Sequence, residues 1–348
     1  MSDVDKQCRR DSVWLASCSS MRSVLLSAFE HSKDFRICLP RPLQLPVNPI
    51  SCCFYDGLNG LSLIADVYHT FKESGIYDSR YALFHEYSSH ELRVKKGSHG
   101  NQLILVEKYS FSESIDSESG EIVKVAKRLT QPVRFYQNVF NARSLTNNPV
   151  PTSSSVLDGL AHPVGDVSLL HRIIGGVVSH DGIKVLFSRE LVAPEFDSTT
   201  RVLTISHPST YSTNGEFFYA MLHYLMIANA TLYSKGDVDV EVVASIGALL
   251  FFNHILVDYQ CPVNLEPILE RLNSLDMTTC FFHALEAEQA FRRVVLAGGL
   301  LPFTKQIQTQ VASAIARDFF MFSKSESGGL TAQSVASLQR SESMNIIF

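Results

Sequence analysis

The sequence predicts an α+β protein, predominantly helical, with a small antiparallel β-hairpin or sheet portion and a helical C-terminal half. Three observations predict it. Apolar residues recur at helical spacing through most of residues 215–322. Two strand-like runs, "NQLILVEKYSF" (101–111) and "EIVKVAKRL" (121–129), flank a polar, acidic, serine-rich loop. The composition, 45% apolar and 19% charged over 348 residues, supplies a substantial core and argues against global disorder.

In chain order, residues 11–32 read as a first helix, with Asp11 or Ser12 as N-cap and Val13, Leu15, Val24, Leu25 and Phe29 among its apolar positions. Four prolines between 40 and 49 force an extended segment. Leu61, Ile64, Ala65, Tyr68 and Phe71 set a second helix over 61–74. The hairpin follows, and "SLTNNPVPTSSS" (144–155) reads as a linker. "IKVLFS" and "RVLTIS" are short strands, and Gly175-Gly176 and Gly298-Gly299 read as breaks between elements. Residues 215–234, 239–258, 264–274, 278–297 and 304–322 read as helices. In the last of these, Ile307, Val311, Ala314, Ile315 and Phe319 form one stripe.

The expected organisation is therefore an arm, helices and basic hairpin over 1–143, the linker 144–155, a mainly helical region over 156–322, and a serine-rich tail over 323–348. The linker divides two subdomains or two layers of a single domain. The tail finishes in Ile346, Ile347 and Phe348, an apolar tip expected to dock on its own body or on a neighbour.

The seven cysteines are an odd number with no CxxC spacing, so a zinc site or disulfide framework is not expected and reduced, intracellular thiols are. The N-terminus is mixed in charge and lacks a secretory apolar core. The longest apolar run, "VVASIGALLFF" (242–252), is too short for a bilayer span of roughly 20 residues, so no membrane partner is expected.

Enzyme motifs fare poorly. In "HEYSSHE", His85 and His90 are five apart, about 140° around a helix, and do not share a zinc-binding face. "HPVGD" places His162 in a loose HxxxD pattern within a turn-like stretch. "SHDG" places His180 among triad residue types, but consecutively, whereas a triad converges from separated positions. Asp237 and Asp239 form a lone DxD that equally suits a helix start. No P-loop, dinucleotide fingerprint or nucleophile elbow occurs. No catalytic residue, metal or cofactor is assigned.

Positive charge is the remaining signal. The chain carries a formal charge of −5, yet its cations cluster. Lys6, Arg9 and Arg10 lie in an N-terminal arm, followed by Trp14 and Arg22. "LRVKKGSHGN" holds Arg93, Lys95, Lys96 and His99. "EIVKVAKRLTQPVRFYQNVFNAR" holds Lys124, Lys127, Arg128, Arg134 and Arg143 among Phe135, Tyr136 and Phe140. On a strand, Lys124 and Arg128 share a face while Val123, Val125 and Leu129 take the other. Cations neutralise phosphates, and aromatic faces stack unpaired bases, so the combination suits a single-stranded nucleic acid. The plainer reading makes the aromatics core and the charges solvated.

"SVWLASCSSMRSVLLSAFEHSKDFRICLPRPLQ" (12–44), with Arg41-Pro42-Leu43-Gln44 as its sharpest element, resembles the start of the sigma-class nonstructural RNA-binding proteins of reoviruses, an aquareovirus counterpart being nearest. Residues 278–319 resemble that family's C-terminal helices in pattern, and the middle of the chain shows no matching motif. The resemblance implies a non-enzymatic protein that binds single-stranded RNA with little sequence preference and forms homo-oligomers. It also implies that the protein remodels RNA and works with other viral factory proteins in the host cytoplasm. By position it gives RNA contacts to Lys6, Arg9 and Arg10, although Asp3, Asp5 and Asp11 dilute the charge of this arm. Two other readings compete: a clamp or minor shell protein of a virus particle, and an acyl-transfer or hydrolytic enzyme using His162 or His180.

Overall fold

A computed structural model describes residues 18–26, 45–115, 122–147, 149–157, 167–190, 194–212, 214–234, 237–254, 266–299 and 301–327. The architecture is α+β and mostly helical, with a helical C-terminal half. Its helices are α1 (18–26), α2 (Gly57–Ser74), α3 (Phe84–Ser89), α4 (Val167–Asp181), α5 (Asn214–Tyr233), α6 (Val240–His254), α7 (Glu266–Ser274), α8 (Met277–Ala297) and α9 (Leu301–Ser327).

Helix α6 is the centre of the main core. Every residue from Val242 to Phe251 is buried, as expected of a helix apolar on all sides. It packs between α5 and α8. Helix α8 turns Cys280, Phe281, Ala284, Ala287, Ala290, Phe291, Val294 and Val295 inward, and its three alanines let the helices approach closely. Asp276 caps it, its Oδ1 accepting from the backbone N–H of Thr278 and Thr279 at 2.9 and 3.0 Å. The DxD resolves the same way: Asp239 Oδ1 accepts from the N–H groups of Glu241 and Val242 at the start of α6. Arg271 pairs with both Asp239 and Glu241 there.

Helix α4 is the longest element the sequence reading missed. Gly175 and Gly176 lie inside it rather than between elements. The reason is packing: a Cβ on Gly176 would stand 2.7 Å from the carbonyl oxygen of Ala297 and 3.0 Å from Cα of Gly298. The glycine lets α4 and the end of α8 meet backbone to backbone. Gly176→Ala should therefore lower stability by about 1–3 kcal/mol in urea unfolding, despite alanine's helix propensity. A neutral or stabilised variant would show that the contact yields freely. Gly298 and Gly299 do follow the end of α8, and Gly299 takes a φ of +66°, so that break stands where it was expected.

Among the described residues three sheets accompany the helices. Strands β1 (Val47–Asn48) and β2 (Cys53–Phe54) form a hairpin whose turn is shaped by Asn48 Oδ1 accepting from the N–H of Ile50 and Ser51. Strands β3 (Tyr81–Leu83), β4 (Asn101–Ile115) and β5 (Ile122–Asn141) make an antiparallel sheet in the order β3–β5–β4. Strands β6 (Lys184–Ser188), β7 (Glu195–Asp197) and β8 (Val202–Ser206) follow α4 in the order β6–β8–β7, with β6 parallel to β8.

The predicted hairpin is present and longer than expected, with strands of 15 and 20 residues. Its ladder breaks once. Glu107 pairs with Val133 and Tyr109 with Arg128, so residues 129–132 stand opposite Lys108 alone. Pro132 lies in that break; it has no N–H to give a ladder.

Helix α9 crosses back over the N-terminal elements, packing on β1, β2 and the 3₁₀ turn Ser154–Leu157. Ile307, Val311, Ala312 and Ile315 share a cluster with Leu45, Val47 and Ile64. One turn further, Phe319 joins Ile50, Ala82, Tyr87, Leu92, Ala142 and Leu145. Beneath it lies an ion pair: Arg80 donates from Nε and Nη2 to the two carboxylate oxygens of Asp78, each at 2.9 Å, with both side chains 1% exposed. Arg80 Nη2 also donates to the Pro149 carbonyl at 3.1 Å, and its guanidinium lies 5.2 Å from the Phe319 ring centroid. Within the stretch read as a linker, Leu145 is fully buried and Pro149 is held by Arg80.

Candidate nucleic-acid interface

The basic clusters separated in sequence meet at the foot of the β4–β5 ribbon. The N–H of Lys95 donates to the Ser144 carbonyl and that of Thr146 to the Arg93 carbonyl, each at 2.8 Å. Val94 and Leu145 form the bridge between them. Buried Leu92 and Leu145 anchor the two segments. Lys95 Nζ reaches the Arg143 carbonyl at 3.1 Å. Arg93, Lys95, Lys96 and Arg143 are thereby gathered on paired backbone. A turn closed by Ser98 N–H on the Lys95 carbonyl, with Gly97 at φ +87°, carries His99 beside them.

Arg93, Lys95, Lys96 and His99 are exposed. Arg143 is half-buried, and its Nη1 donates to Ser74 Oγ at the end of α2 at 3.0 Å. The other cations of the stretch follow the ribbon. In the register, Lys124 stands opposite Glu113, Lys127 opposite Ser110, Arg128 opposite Tyr109 and Arg134 opposite Val106. Tyr136 is the register partner of Ile104. Residues 93–147 hold nine Lys and Arg against five Asp and Glu, in a chain whose net charge is −5. Lys108, in β4 at the ladder break, belongs to this group. The sequence reading passed over it because a single lysine in an apolar run carries no pattern.

Other expected residues lie elsewhere. Arg22 on α1 donates from Nη2 to the Asn273 carbonyl at 2.6 Å, which ties α1 to the end of α7 and not to the ribbon. Phe140 is half-buried against Phe84, ring centroids 6.3 Å apart, so it serves the sheet's packing rather than a base. Lys6, Arg9, Arg10, Trp14, His162, Ile346, Ile347 and Phe348 lie outside the described residues.

Among the described residues no group of three or more His, Cys, Asp or Glu side chains is placed to hold a metal ion. His85 is exposed on α3, while His90 packs on the Phe320 ring at 5.3 Å. His180 stands at the end of α4 with Nδ1 2.8 Å from Asp181 Oδ1. No described helix is long and apolar enough to cross a membrane.

No family model matches the sequence, and no curated protein does. Solved structures that resemble the fold include two of the antirestriction protein ArdC from plasmid R388. The Mn(II)-bound form superposes with a TM-score of 0.50 and the metal-free form with 0.48. Each is 15% identical and covers 80% of this chain and 97% of the other. At that identity the likeness describes the fold alone.

Proposed function

We propose that this protein binds single-stranded RNA without catalysis, using the foot and length of the β4–β5 ribbon, and that it acts as an oligomer. The observation that supports this reading is the pairing of residues 93–96 with 143–146, which gathers Arg93, Lys95, Lys96 and Arg143 on one ordered backbone. The cations track successive phosphates. Lys124, Lys127, Arg128 and Arg134 extend the track along β5, and Tyr136 is the aromatic assigned to an unpaired base. The N-terminal arm with Lys6, Arg9 and Arg10 adds phosphate contacts, and the tip Ile346, Ile347 and Phe348 joins protomers so that RNA is covered cooperatively. A viral nonstructural role in host cytoplasmic factories is the setting that the family resemblance suggests.

The test is electrostatic. The four phosphates neutralised at the ribbon's foot should alone contribute about −3 to the slope of log K against log salt for an unstructured oligoribonucleotide, and the β5 cations and the arm should steepen it further. That contribution alone lowers affinity about fifty-fold between roughly 50 and 200 mM salt. Replacing Arg93, Lys95 and Lys96 together by glutamine should flatten that slope by about two. Fluorescence anisotropy reads both results. A flat salt dependence, or an unchanged slope in the triple variant, would remove the ribbon's foot as the binding surface.

A further inference from the structure

A second polar cluster, separate from the ribbon, forms where α4 ends against α5, α8 and the loop before β8. At its centre is Asp181, whose side chain is 1% exposed. His180 and Asp181 stand 2.8 Å apart through Nδ1 and Oδ1. A carboxylate has no proton to give, so Nδ1 carries the hydrogen and Nε2 is left toward solvent. The Tyr233 hydroxyl donates to the same oxygen and Asn229 Nδ2 to the other, each at 3.2 Å. Arg201 Nη1 donates to the Asp181 carbonyl at 2.8 Å, which satisfies a carbonyl at the end of α4. Arg293 Nε donates to Asn229 Oδ1 at 2.9 Å, and its guanidinium lies 5.4 Å from the Tyr233 ring centroid.

Two features of this cluster go beyond holding a helix end. Nη2 of Arg293 is buried and has no hydrogen-bond partner among the described residues. An unspent guanidinium donor away from water is costly unless something accepts from it. Arg201 takes a φ of +53°, in the left-handed region where glycine rests without strain and a side chain does not. An arginine at that position gives the loop an exposed guanidinium at the price of backbone strain.

We infer that this cluster is a binding site for a phosphate group. Arg293 Nη2 and the outward donors of Arg201 would each donate to one of its oxygens, the chemistry that guanidinium groups favour, and Nε2 of His180 would accept from a phosphate hydroxyl. Two guanidinium groups, Arg201 and Arg293, stand there against two acids: Asp181, engaged by His180, Asn229 and Tyr233, and Glu286, which acts on Arg293 from α8. None of these residues belongs to the ribbon, so the site stands or falls independently of the proposed RNA surface. The phosphate can come from a free ion or from the terminal monoester of an RNA strand.

The experiment titrates the full chain with inorganic phosphate at constant ionic strength, following the His180 ring signals by NMR and heat by calorimetry. A saturable shift of the His180 signals is expected. Arg201→Gly should keep the fold, because glycine suits that backbone angle, and should weaken phosphate about tenfold. His180→Asn, at an exposed position, should weaken it several-fold and serves as the second variant if Arg201→Gly alters stability. A parallel arm compares one oligoribonucleotide with a 5′-phosphate and with a 5′-hydroxyl. Tighter binding of the phosphorylated strand, lost in Arg201→Gly, assigns the site to an RNA end. Equal binding of the two strands beside saturable inorganic phosphate assigns it to the free ion. No saturable response to inorganic phosphate, or wild-type phosphate affinity in both variants, overturns the proposal.

Discussion

Arg80→Met is expected to cost about 3–5 kcal/mol of folding stability, the range for leaving one charge of a buried pair without its partner. Asp78 would keep a carboxylate that is 1% exposed, with neither guanidinium bond remaining. The Pro149 carbonyl would lose its donor and the Phe319 ring its cation. Removing both charges, as in Asp78→Leu with Arg80→Met, should recover much of the loss, since no charge is then left unpaired and only the Pro149 carbonyl and the residue 80 N–H lose their side-chain partners. Urea unfolding of the two single variants and the double variant closes the cycle. A single-variant loss under about 1 kcal/mol, or a double variant as unstable as either single, would mean that water reaches the pair.

Acid should weaken the fold through His223. Its side chain is buried on α5, 3% exposed, with Nδ1 unpartnered among the described residues. Burial pushes its pKa down from 6.5 to about 4. The unfolded chain takes up the proton as pH falls through about 6.5, and the folded protein refuses it until about 4. The stability is therefore fully present above 6.5 and is lost as pH falls toward 4, by about 3 kcal/mol at the end of that window. His223→Leu removes the titrating group and the orphaned nitrogen together. Denaturant unfolding at several pH values from 7 to 4 should show the variant flatter than the parent by that amount. Parallel pH profiles would show that His223 is hydrated in the folded state.

The helices of the C-terminal half were legible because their signal is local. The unbroken apolar run of α6 and the Ile307–Phe319 stripe of α9 need no knowledge of what they pack against. Helix α4 was hidden by Gly175 and Gly176, whose meaning depends on Ala297 and Gly298, residues remote in sequence. Strand β5 was underestimated because Pro132 interrupts its ladder without ending it. For the basic surface, the clusters were plain in the sequence but their meeting was not: residues 93–96 and 143–146 pair across the whole ribbon. Arg22 looked equivalent by charge, and only its bond to Asn273 separates it. The Asp181 cluster was out of reach, since Arg201, Asn229 and Arg293 come from different elements.

The seat of α9 on the first hairpin bears on how the protein is made. Leu45, Val47 and Ile64 leave the ribosome early, and the Ile307–Ile315 surface that covers them is translated much later. At roughly 5–20 residues per second the gap is on the order of tens of seconds. For that time the nascent polypeptide carries an uncapped greasy patch, a natural target for chaperones. Messages broken before the codons of α9 should yield sticky, rapidly degraded fragments.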